Sequence, residues 1–117
     1  MTSGPDDKPP LLERRPKQRK RVLLTGIITY ANGNFSFECT IRDLSETGAR
    51  VNVGKHTQFP GDFYLINIRD RVAYDAKVVR KDANNIGVTF KNSYPLSGVV
   101  DPSLSYLKRL WLAKAAG

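Results

Sequence analysis

Residues 22–42 read VLLTGIITYANGNFSFECTIR, and this stretch decides the fold. Val22 to Tyr30 is rich in β-branched and apolar residues, which predicts a long strand with Gly26 as a bend. Ala31-Asn32-Gly33-Asn34 predicts a hairpin, because Asn-Gly supplies the positive φ angles that tight hairpin turns require. Phe35 to Arg42 then alternates. Phe35, Phe37, Cys39 and Ile41 face one way, and Ser36, Glu38, Thr40 and Arg42 face the other. Such alternation marks a half-buried antiparallel strand, with Cys39 as a core thiol.

The same pattern continues downstream. Asp43 to Gly48 interrupts the strands: Asp and Ser side chains hold turns by bonding nearby backbone, and Gly48 allows a positive φ. Ala49, Val51 and Val53 resume a short strand with Arg50 and Asn52 on its other face. Gly54 to Asp62 is a loop carrying the sole histidine, His56, read as a surface residue. Phe63 to Ile68 is nearly all apolar and predicts a strand buried on both faces. After a turn at Arg69-Asp70-Arg71, Val72, Tyr74, Ala76 and Val78 alternate with Ala73, Asp75, Lys77 and Val79. Asp82 to Asn85 turns the chain, and Ile86, Val88 and Phe90 form the inward side of a last strand. Strands joined mostly by short turns predict an all-β fold, a small six-stranded antiparallel barrel or sandwich.

A helix closes the chain. Asp101 is placed to cap it and Pro102 to occupy its first position. Leu104, Leu107, Trp111 and Ala115 form one apolar stripe, predicted to pack on the barrel, with a dimer contact or partner surface as the alternative. Lys108, Arg109 and Lys114 lie late in the helix, where they suit its dipole. The resulting organisation is a disordered, Pro-rich tail over residues 1–13, a barrel domain over 14–98 that includes a basic arm at 14–21, and the C-terminal helix over 99–117.

A chain of 117 residues makes a single domain with a modest core. Its formal net charge of +8 favours anionic partners. One cysteine excludes an internal disulfide framework and fits a reducing compartment. There is no apolar run long enough to span a bilayer and no signal-peptide core near the N-terminus, so the expectation is a soluble, cytoplasmic protein. One histidine and one cysteine make no metal site, and no nucleophile–base pair or Gly-rich phosphate loop can be placed, so no enzyme is expected.

Arg14-Arg15-Pro16-Lys17-Gln18-Arg19-Lys20-Arg21 immediately precedes the first strand. Pro16 bars a regular helix through it, leaving the arm extended or turned. The arm leads into the first strand and the Asp43–Gly48 loop leaves the second. A hairpin makes those strands antiparallel neighbours, so arm and loop meet at the same end of the sheet. Arginine offers a planar fork to phosphate or to the O6 and N7 edge of guanine. The Asp43 carboxylate can accept from the N1 and N2 hydrogens of guanine, the Ser45 hydroxyl can bind a base or phosphate atom, and Gly48 lets backbone come close to a ligand. A guanine-containing anion with more than one phosphate would use all of these groups together.

Arg15-x-x-x-Arg19 followed by Asp43-x-Ser45-x-x-Gly48 resembles the paired signature of the PilZ domain family, and Ile86-Gly87-Val88-Thr89-Phe90 resembles its closing strand. The resemblance covers roughly residues 13–95. It implies a six-stranded β-barrel, often with a C-terminal helix, that binds cyclic di-GMP and passes the signal to an unidentified effector protein in motility, adhesion or exopolysaccharide control. It implies that Arg15 and Arg19 hold phosphate and guanine edges with Arg14 assisting, that Asp43 and Ser45 read a guanine, and that Gly48 shapes the loop. No cofactor other than that ligand is implied. The arm would order on the ligand, and the protein would be a monomer or weak dimer. Two alternatives stand beside this reading. One is a small basic barrel that binds nucleic acid through the arm; it gives Asp43 no role and is disfavoured. The other is a ligand-free, PilZ-like interaction module.

Overall fold

The computed structural model describes residues 20–116; the expected tail at 1–13 and most of the basic arm lie outside them. Six strands follow in chain order: β1 Lys20–Tyr30, β2 Phe35–Leu44, β3 Gly48–Asn52, β4 Asp62–Asn67, β5 Val72–Asp82 and β6 Asn85–Pro95. They close into an antiparallel barrel in the order β1-β2-β3-β6-β5-β4, as the alternation predicts. The helix α1, Ser105–Ala116, follows a 3-10 turn at Pro102–Leu104.

The β1–β2 hairpin forms where expected, with Tyr30 opposite Phe35. Its turn takes positive φ at Ala31 (54°), Asn32 (56°) and Gly33 (90°). Gly33 is needed twice, because a Cβ there would also lie 2.8 Å from the Tyr106 ring of α1. The predicted bend at Gly26 is absent: Gly26 is laddered to Cys39 on one side and Asn67 on the other. The irregularity falls instead between Arg21 and Leu24. Phe35 also departs from its expected inward face. It is exposed and stacks on Tyr30 with ring centroids 5.2 Å apart, beyond the end of the core.

The barrel interior holds Ile28, Ile41, Val51, Leu65, Ile86 and Val88 among others. A second apolar cluster lies between the barrel wall and α1: Ile27, Ile66, Ala73, Leu96 and Leu107. Two clusters explain the unbroken apolar run at β4. Phe63 and Leu65 face the interior, while Ile66, flanked by Tyr64 and Ile68, faces the helix. The Trp111 indole Nε1 donates to the Ile68 carbonyl at 3.1 Å, fixing the helix on this wall.

Asp101 caps as predicted, its Oδ1 accepting from the Ser103 amide at 2.8 Å. The stripe is Leu104, Leu107, Leu110 and Trp111 with Tyr106 beside it, and Ala115 is exposed. A turn of 3.6 residues counted from Leu107 brings Lys114, not Ala115, back to the barrel side, and Lys114 pairs there with Glu38 of β2. β5 runs past the expected Val79 to Asp82, and β6 runs past Phe90 to Pro95, which pairs with Val72. Most of the extra residues, Arg80 to Asp82 and Lys91 to Ser93, are polar and exposed and carry no core signal.

Cys39 is the free thiol expected in the core, and its burial, with the Glu38 charge beside it, pushes its pKa up to about 12 from 9.0. The unfolded thiol ionises first, so the neutral buried form contributes stability that is full below pH 9 and is lost as pH rises towards 12. Denaturant unfolding across that range should show wild type losing stability relative to Cys39→Ala. Leu107, fully buried under the helix, sets a second test. Leu107→Ala should cost about 2–5 kcal/mol in urea unfolding, whereas Leu112→Ala, at an exposed position, should cost less than about 0.5 kcal/mol.

Candidate ligand-binding site

The site is built where β1 begins and β2 ends. Arg14, Arg15 and Arg19 lie outside the described residues. The last two basic residues of the arm do not belong to a free segment. Lys20 and Arg21 are ladder residues of β1, opposite Leu44 and Asp43 of β2. The root of the arm therefore lies against the Asp43–Gly48 loop, as hairpin pairing requires.

Within that loop the side chains serve the backbone. The Ser45 amide donates to the Gly48 carbonyl at 2.9 Å. The Ser45 Oγ accepts from the amides of Thr47 and Gly48, both at 3.2 Å. The loop is tied in turn to β6, where the Phe90 amide donates to the Thr47 carbonyl at 2.8 Å and the Thr89 hydroxyl donates to the same oxygen at 3.2 Å. Gly48 does not adopt the positive φ expected of it. Its requirement is contact: a Cβ would stand 2.3 Å from the Val88 carbonyl oxygen. Glycine here lets β3 approach β6, and any approach to a ligand comes in addition.

Asp43 is 8 % exposed. Its Oδ2 accepts from the Arg50 Nε at 2.7 Å, and Arg50 remains 47 % exposed at its side chain. A register shift between Ile41 and Asp43 brings Asp43 opposite Arg50. Residues directly opposite in a ladder share a face, and Ile41 and Val51 face the core, so Arg50 faces outwards with Asp43 beside it. The ladder extends this outer row in both directions. Arg21 is opposite Asp43, Arg50 is opposite Gly87 of β6, and Gly87 is opposite Arg80 of β5. The row therefore reads Arg21, Asp43, Arg50, Gly87, Arg80 across the outer wall.

A groove of about 490 Å³ lies over the Arg50–Gly87–Arg80 end of this row, lined by Ser45, Gly48, Arg50, Val79, Arg80 and Asp82 among others. Val79 is 64 % exposed at a register shift between Val78 and Arg80. The groove combines guanidinium donors, hydroxyls and open backbone, which suits a planar, multiply charged anion. Arg50 and Arg80 line this groove and are candidates that the sequence alone does not single out. The alternation of Ala49, Arg50 and Val51 gives the outward face of Arg50, but only the cross-strand register reveals its neighbours. Among the described residues there is no group of side chains that could hold a metal ion, and no helix is long and apolar enough to cross a membrane.

A closed six-stranded antiparallel barrel with a helix after its last strand, and a loop tied by Ser45 and Gly48 beside a basic strand entry, defines a small all-β domain with one helix-free face. The family model of the PilZ domain matches residues 13–97, and the chain belongs to that family, whose members are receptors and adaptors for cyclic di-GMP. No curated protein matches the chain. The matched span contains both Arg15-x-x-x-Arg19 and Asp43-x-Ser45-x-x-Gly48.

The contact at Gly48 carries its own test. Gly48→Ala forces β3 away from β6 and should cost about 1–3 kcal/mol in thermal or urea unfolding. Ser45→Ala, which removes only loop hydrogen bonds, should cost about 1 kcal/mol.

Proposed function

We propose that this chain is a cyclic di-GMP receptor that orders its arginine-rich N-terminal arm on the ligand and presents the altered surface to an effector protein. The observation that carries this reading is the register of β1 on β2, with Arg21 opposite Asp43, in a barrel of this family. The loop is held ready by its own hydrogen bonds, so little ordering is left to the ligand on that side. Asp43 is oriented by Arg50 through Oδ2. Its other oxygen accepts nothing from the described side chains, which suits it to accept from the N1 and N2 hydrogens of a guanine. Arg15 and Arg19, with Arg14 assisting, supply forks for phosphate and guanine edges as the arm closes over the groove. The ligand is thus read by a preformed wall and clamped by an added segment. Binding requires no cofactor and no covalent step. The buried, unpaired Cys39 is in keeping with action in the reducing cytoplasm. The downstream process is one of motility, adhesion or exopolysaccharide control.

Asp43 also separates this reading from a nucleic-acid barrel. A carboxylate in the middle of the row opposes a phosphate backbone, yet it serves a guanine edge. Isothermal titration with cyclic di-GMP in low-salt buffer is the test. Wild type should release heat on binding, and Arg15→Ala and Asp43→Ala should each remove most of the affinity. A folded wild-type protein that gives no heat rejects the proposal. Arginine variants that weaken binding while Asp43→Ala leaves it intact would reduce the site to an electrostatic patch.

A further inference from the structure

We propose that the outward face of α1 is a docking surface for an amphipathic helix of a partner protein, one whose apolar stripe is bordered by acidic residues. The helix stands on the wall of β1, β4 and β5, and its outward face does not depend on what the charged row binds.

α1 carries two stripes of the same period. Leu107, Leu110, Trp111 and Lys114 stand at i, i+3, i+4 and i+7 and turn to the barrel. There Lys114 pairs with Glu38, and the Trp111 indole is committed to the Ile68 carbonyl. Arg109, Leu112, Ala113 and Ala116 repeat that spacing two residues on, and all four are exposed. Two residues turn a helix by about 200°, so the second stripe points away from the barrel. Leu112 stays 48 % exposed on it. Val99, fully exposed, is held beside the helix, because the Lys108 ammonium donates to the carbonyl of the adjoining Gly98. Leu112 and Val99 are two of the five large apolar side chains left exposed among the described residues, and both fall at α1.

The form of this surface selects a helix. A row of this period is a ridge that fits between the rows of another helix, and the small side chains of Ala113 and Ala116 let the two axes come close. Charge selects its composition. α1 contains no acidic residue, and neither Lys108 nor Arg109 pairs with a carboxylate among the described residues. Arg109 gives one bond, at 3.3 Å, to the Ser105 hydroxyl and keeps the rest of its fork. Carboxylates beside a partner's apolar stripe would meet both cations. A second copy of this chain would instead set Lys108 and Arg109 against the same residues, which repels it. An anionic membrane would meet the charge, but it would find only Leu112 and Val99 to bury, with the Trp111 indole held beneath the helix.

The test is isothermal titration and NMR of the full chain, without nucleotide, against a synthetic peptide. The peptide has about 18 residues, long enough to hold a helix, with leucines at i, i+3, i+4 and i+7 and glutamates beside them. Wild type should bind it, with amide shifts confined to Val99 and the 108–116 segment. Leu112→Ser and Arg109→Glu should each weaken binding at least about tenfold, the scale of an interface anchor. Both positions are exposed, and circular dichroism should show the fold unchanged. Lys77→Glu, the same charge reversal at an exposed position of β5, should stay within about twofold of wild type, as for a screened distant charge. No binding by wild type, or binding that survives Leu112→Ser, overturns the surface. Dimerisation in analytical ultracentrifugation that Leu112→Ser abolishes gives the face to a second copy. Leu112-dependent binding to phosphatidylglycerol vesicles gives it to a membrane. Either result overturns the proposal, and none of these outcomes bears on the cyclic di-GMP reading.

Discussion

β3 is five residues long, Gly48–Asn52, and on its side of the molecule it alone joins the β1–β2 hairpin to the β5–β6 hairpin. Its pairing with β6 requires the backbones to meet at Gly48, where a Cβ would stand 2.3 Å from the Val88 oxygen. Without that approach the barrel does not close on this side, and Val51 and Ile86 are not brought together in the core. The same approach fixes the loop before β3. Thr47 is tied to Phe90 and Thr89, so the Asp43–Gly48 turn is set by the closure of the barrel as much as by its own Ser45 bonds. The Asp43–Gly48 loop is therefore positioned by the same close approach at Gly48 that closes the barrel.

Two apolar clusters divide the remaining work. The barrel interior holds the strands together, and the wall under α1 makes β4 a strand buried on both sides. The helix is anchored through Leu107 and the Trp111–Ile68 hydrogen bond on the wall formed by β1, β4 and β5. α1 also reaches the first half of β2 through the Lys114–Glu38 pair, while the charged row runs from the start of β1 over the end of β2, β3, β6 and the end of β5. Covering one wall adds a second apolar cluster to the core of a small barrel and leaves the other wall open for the proposed ligand.

Much of this is legible in the chain. Alternation marks four of the strands, β-branched and apolar runs mark β1 and β4, Asn32-Gly33 marks the hairpin, and Asp101-Pro102 marks the helix start. Pairing geometry alone puts the root of the arm beside the Asp43 loop. What the chain did not reveal depends on register. Arg50 and Arg80 become neighbours through β6, some 30 residues apart in sequence, and no local pattern encodes that. The burial of Asp43 and its bond to Arg50 follow from a register shift between Ile41 and Asp43, which no local pattern encodes. Gly48 was read for its conformational freedom, yet it is required by contact with a strand distant in sequence. Lys91 to Ser93 were missed as strand because polar residues outside the core leave no alternation to detect.

The central claim is that one outer wall, rooted where β1 meets the Asp43–Gly48 loop, is the binding face. Backbone amide chemical-shift mapping by NMR during titration with cyclic di-GMP tests it most directly. The largest changes should fall on Lys20, Arg21, the 43–50 segment and Gly87, with α1 little affected. Changes centred on α1 and the wall beneath it, or no change in the 43–50 segment, would contradict the account.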